Sequence, residues 1–217
     1  YPSDNNVFVS ITLDLPQASL PSETPTRSIS GINENDIQTI DVLAFRPDES
    51  NSGQWLYAYS AVGTITTDDL SSTDKSKKKF RVKLVQESTK QQFVIIANAR
   101  DEINTLGQIK VGTEKNSILR QLISKNTGNW EANSGDDFKP FPMWGQTEAV
   151  IEKVSQEINN ISMLRSLARI DVTLSDEAKN EGNFVLNKVI VYNSKTSGFI
   201  VPELNNMVSN EAIKATV

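Results

Sequence analysis

Few kinds of side chain in this sequence can do chemistry. It carries 27 Asp and Glu and 22 Lys and Arg but neither His nor Cys, so imidazole bases, thiol nucleophiles and the usual zinc and iron ligands are all missing. An enzyme of this composition would have to work with carboxylates, Ser, Lys or Tyr, and a paired-carboxylate glycosidase is compatible with the residue types. None of the spaced signatures that would organise such groups occurs: no G-x-S-x-G, no P-loop and no G-x-G-x-x-G. Asp68-Asp69 and Asp136-Asp137 lack the spacing of a calcium loop and read as turn residues. No catalytic residue, metal or cofactor is expected.

Binding and processing leave other traces. Trp130 and Trp144 flank a polar, acidic stretch and could form a sugar platform, which would make the chain a carbohydrate-binding β-sandwich adhesin module; the plainer reading has them anchoring a long loop. Arg27 sits in LPSETPTRSISG, residues 20 to 31, a linker of small polar residues of the kind proteases cut. DKSKKKFRVK, residues 74 to 83, holds six basic residues in ten and reads as a solvated turn running into a strand whose Lys side chains discourage aggregation. The net charge of −5 opposes attraction to phosphate backbones and anionic lipid, so nucleic acid is not an expected partner.

The elements around these residues are mainly strands. VFVSITLDL, residues 7 to 15, puts Val7, Val9, Ile11, Leu13 and Leu15 on one face and Ser10, Thr12 and Asp14 on the other, the mark of a half-buried strand. DIQTIDVLAF, 36 to 45, is apolar on both faces near its end and reads as a central strand stopped at Arg46-Pro47. Further strands are expected at 54–65, 79–87, 92–100, from Met143 to Val150, at 183–193 and at 198–202. One helix is expected over TEKNSILRQLISKN, 113 to 126, with Thr113 as its cap. From Ile151 to Leu164 the apolar spacing is helical, and from Leu164 to Leu174 it alternates, so a strand is expected over the second half. At 217 residues one large or two modest domains fit.

Three stretches carry a resemblance. They are TRSISGINENDIQTIDVLAF, then KKKFRVKLVQESTKQQFVIIANA, then FPMWGQ followed by ISMLRSLARIDV, in that order over residues 24 to 174. Together they resemble the fimbrillin superfamily of Bacteroidales, the subunits of surface fimbriae. The resemblance implies a transthyretin-like Greek-key β-sandwich with one short helix over residues 1–165, followed by the start of a partial second β domain over 166–217. It also implies export to the outer membrane as a lipoprotein precursor, although no Cys for lipidation is present. A trypsin-like protease would cut after Arg27 and remove the strand bearing Val7, Val9, Ile11, Leu13 and Leu15, and another subunit's strand would fill the groove. The expected partners are therefore other fimbrial subunits, that protease, and host proteins or glycans. EAIKATV alternates poorly as a donor strand.

Overall fold

The computed structural model describes residues 5–16, 35–66, 76–125, 139–152, 156–167, 172, 174–180, 182, 184–192 and 195–202. Its strands are β1 (Asn6–Asp14), β2 (Ile40–Pro47), β3 (Trp55–Ile65), β4 (Lys77–Val85), β5 (Glu87–Ala97), β6 (Ile123–Lys125), β7 (Met143–Ile151), β8 (Gln156–Ser162), β9 (Leu164–Arg165) and β10 (Ser197–Phe199). Short helices α1 (Arg100–Thr105), α2 (Lys115–Leu119) and α3 (Asp176–Asn180) lie between them. The chain is mainly β.

Eight strands form one mixed sheet in the order β8-β1-β4-β3-β2-β5-β7-β9, and β10 pairs with β6 in a small second sheet. β8 and β9 sit at opposite ends of that order yet are separated by Met163 alone. The sheet therefore curls until its two ends nearly meet. Gly145 in β7 permits the approach: a Cβ there would lie 2.7 Å from the Met163 sulfur and 2.8 Å from the Ser162 carbonyl oxygen.

Two apolar cores result. Inside the curl, Val9, Ile11 and Leu13 of β1 and Phe80, Val82 and Leu84 of β4 face Ile40, Val42, Phe93 and Ile95 of β2 and β5. Outside it, Leu43, Phe45, Val94, Ile96 and Trp144 are covered by Ile118 and Leu119 of α2, by Leu122, and by Ile200 and Val201 after β10. β2 and β5 thus bury both faces, which is why β2 reads as apolar on both sides; it lies between β3 and β5 as a central strand should.

Several expectations are corrected. The helix expected over 113–126 is confined to Lys115–Leu119, with Glu114 rather than Thr113 accepting from the backbone N–H groups of Asn116 and Ser117, and the chain turns into β6 by Ile123. α1 occupies the end of what reads as a strand to Arg100. The strand expected from Leu164 lies earlier, in β8 and β9: Leu164–Arg165 are its last residues, 172 and 174 are not strand, and 168–171 and 173 fall outside the described residues. The cause is a register shift against β1, where Ile11 faces Ile158 and Leu13 faces Ile161, with Asn160 between them at φ 60°. A β-bulge sets two core residues three apart, and a spacing of three imitates a helix. The strand expected at 183–193 does not form among the described residues there; Val185, Val191 and Tyr192 stand 77%, 64% and 79% exposed.

Candidate functional site

β1 and the linker behind it form the candidate site. Val7, Val9, Ile11, Leu13 and Leu15 are buried, with the middle three fully enclosed. β1 pairs antiparallel with β4 from Asn6↔Val85 to Asp14↔Lys77 and parallel with β8 at Val9↔Gln156, Ile11↔Ile158 and Leu13↔Ile161. Both of its edges are therefore hydrogen-bonded. Its outward face adds an ion pair of Asp14 with Lys77 at 3.3 Å and the Arg81 guanidinium 5.0 Å from the centre of the Phe8 ring. Phe8 is half exposed, so this second contact shields one apolar residue on the solvent face.

Burying five such side chains is worth about 10 kcal/mol before ordering entropy, comparable to a domain's whole net stability. Withdrawing β1 would also strip β8 of its one ladder partner among the described residues. What remained would be a slot between β4 and β8, over Ile40, Val42, Phe93 and Ile95, with unpaired backbone on the two flanking strands.

The ends of the linker are fastened to each other. The Arg165 Nη2 donates to the Asn35 Oδ1 at 2.6 Å and to the Pro16 carbonyl at 3.3 Å, and the Asn35 Nδ2 donates to the same carbonyl at 3.4 Å. Just beyond, Asn98 holds the chain on its way to β2. Its Oδ1 accepts from Gln38 N at 2.8 Å, and its Nδ2 donates to the carbonyls of Asp36 at 2.8 Å and Phe141 at 2.9 Å. Asn98 takes the left-handed conformation, φ 58°, that Asn tolerates better than most residues. Arg165 and Asn98 stand inside the quoted stretches ISMLRSLARIDV and VIIANA, so the signal was present, but nothing in a run of letters says that they meet the two ends of a linker.

A matching family model covers residues 31–213 and is described as "Fimbrillin-A associated anchor proteins Mfa1 and Mfa2". The chain belongs to this family. No curated protein matches the chain. Among solved structures the tip fimbrial protein Mfa3 from Porphyromonas gingivalis with C-terminal truncation is similar, with 12% identity, a TM-score of 0.39 and 74% of this chain covered. The match spans 48% of that protein's own length. The family's description is of anchor proteins associated with fimbrillin.

Against that membership, the residues singled out by sequence fall into three groups. The apolar side chains from Val7 to Leu15 come together in one buried strand. Arg27 and Trp130 lie outside the described residues. Trp144 is 4% exposed in the outer core, so its indole packs with Leu43, Phe45 and Ile96 and offers no open face to a sugar.

The structure also gathers a polar cluster that sequence reading passed over. Lys115 opens α2 and is 6% exposed, and its Nζ donates to the side-chain carbonyls of Gln92 and Gln146, both at 2.5 Å. Burial pushes its pKa down to about 8, against the opposing pull of the Glu148 and Glu114 carboxylates. Gln92 in turn donates to Glu148 at 3.0 Å, and Glu148 pairs with Lys90 at 3.3 Å. A second buried network joins Tyr59 to Gln91 and to the Val85 N–H, and burial raises the Tyr59 phenol to about 12. It braces the chain at Gln86, where β4 on one side of the curl gives way to β5 on the other.

Proposed function

We propose that the chain is an accessory or anchor subunit of a surface fimbria that joins a neighbour by strand exchange: cleavage after Arg27 frees β1, and a strand of another subunit takes its slot. The observation that carries this reading is the seat of β1. It is an interior strand with five buried apolar side chains, and the segment that leads from it to β2 holds Arg27. A replacement strand restores both the apolar contacts and the ladder bonds, which is recognition by β-addition. Insertion of one subunit's strand into the next is heterologous and builds an open filament. The family's description associates its anchor proteins with fimbrillin, and we take a fimbrillin as the neighbour, at the outer membrane of the exporting cell. The curled mixed sheet is consistent with a transthyretin-like sandwich, and residues 166–217 are assigned to the start of a second β domain.

In this mechanism the clasp of Arg165, Asn35 and Pro16 keeps a cut linker from releasing β1 spontaneously. Both stubs remain fastened, and the strand leaves as a replacement enters. Limited trypsin treatment tests the reading. Cleavage after Arg27 is expected to leave a monomer that takes up a labelled peptide of sequence NVFVSITLD and polymerises with a strand-donating subunit, while Arg27→Ala stays uncut and inert. Complete cleavage at Arg27 with neither uptake nor any change in oligomeric state would overturn it.

A further inference from the structure

A cavity of about 290 Å³ opens between the β3 entrance, α2 and the chain after β10. Gln54, Trp55, Lys115, Gln146, Phe199 and Val201 are among the residues that line it. Exposed Gln54, Asn116, Arg120 and Phe199 make the rim, so the cavity is reached from solvent. Its size suits a ligand of one or two small rings, at the lower end of the range for small-molecule sites.

Lys115 gives the cavity its character. The buried ammonium is held by two neutral amides and lies 5.9 Å from the centre of the Phe45 ring, and its nearest acids also serve other groups: Glu148 is held by Gln92 and Lys90, and Glu114 by the backbone of Asn116 and Ser117. Among the described residues no carboxylate makes a direct ion pair with this ammonium, and buried charges are ordinarily paired. The side-chain amides of Gln54, Gln146 and Asn116 suit hydroxyl groups, and the aromatic walls of Trp55 and Phe199 suit the C–H face of a sugar ring.

We propose that this cavity is a binding site for an acidic sugar residue, with its carboxylate against the Lys115 ammonium and its ring between Trp55 and Phe199. The site is separate from the β1 slot, shares no residue with it, and does not depend on strand exchange. Trp144, whose indole is buried in the outer core, does not line it.

Titration of the intact chain with glucuronic acid, glucose and N-acetylaspartate, followed by nuclear magnetic resonance, tests the assignment. Saturable binding of glucuronic acid is expected, with shifts centred on Trp55 and Lys115, and with glucose and N-acetylaspartate each at least ten-fold weaker. Lys115→Met, whose apolar chain suits the surrounding core, should weaken glucuronic acid at least ten-fold. Phe199→Ala, at an exposed rim position that leaves folding intact, should weaken it several-fold and stands in should the Lys115 variant not fold. Equal binding of glucose would remove the role of the ammonium, and equal binding of N-acetylaspartate would reassign the site to a peptide carboxylate. Shifts centred elsewhere, or no saturation by glucuronic acid at 10 mM, would overturn the site.

Discussion

Two apolar-rich stretches of this chain have opposite fates. β1 and residues 184–192 are both rich in Val, Ile and Leu, and both read as strands. In β1 the core-facing side chains are enclosed and both backbone edges are paired. In 184–192, Phe184, Val189 and Ile190 stand 66%, 51% and 53% exposed, and no ladder forms among the described residues. β1 succeeds because β4 and β8 present two open backbone edges over a ready apolar floor, whereas the later stretch meets neither among the described residues. A strand sequence is a capacity to be buried, and the neighbour decides whether it is used. That is also the physical condition for strand exchange, since a slot whose neighbours define it can accept any strand of matching pattern.

The largest effect expected from this contrast comes from placing a charge in each stretch. Ile11→Asp would bury an unpaired carboxylate between β4 and β8, and a loss of more than about 4 kcal/mol in urea unfolding is expected, enough to unfold a marginal domain. Val191→Asp at an exposed position should stay within about 0.5 kcal/mol. Equal losses at the two sites would mean that 184–192 is buried in solution, and the contrast would fail.

A smaller effect tests the closing of the curl that lets β8 serve β1. Gly145→Val places carbon where the Ser162 carbonyl and the Met163 sulfur now lie. Because the backbone oxygen cannot swing aside as a side chain would, a cost of about 1–3 kcal/mol is expected. Hydrogen exchange should show it first in 156–162, as faster exchange there than in β2 and β5. Unchanged protection of 156–162 would show that β8 is held by β1 alone.

How much of this was legible in the sequence follows the same division. Strands with a strict period of two, such as Val7 to Leu15, or apolar on both faces, such as Ile40 to Phe45, could be placed because their burial is written locally. β8 could not, because the bulge at Asn160 converts its period to three, and a bulge is a response to β1 rather than a property of the residues around it. α2 was legible in its apolar pair Ile118 and Leu119 but not in its length, which Glu114 sets at one end and the pairing of β6 with β10 at the other. The seat of β1 was thus readable, while the clasp at Arg165 and the cluster at Lys115 were not: each is assembled from residues far apart in the chain, and no periodicity reports such meetings.

Lys115 extends the comparison from apolar to charged side chains, and its expected effect is a change of slope with pH rather than a loss of fold. Its folded pKa of about 8 lies below the unfolded value of 10.5, so between those values the unfolded chain binds more protons than the folded one. Stability is therefore expected to rise as pH climbs from about 8 to 10.5, and the burial penalty to be fully present below about 8. Lys115→Met should flatten the rise while leaving the strand slot able to take up peptide. A profile through this window that is the same with and without Lys115 would place the ammonium in water, and the outer core would then be as open at α2 as the chain is at 184–192.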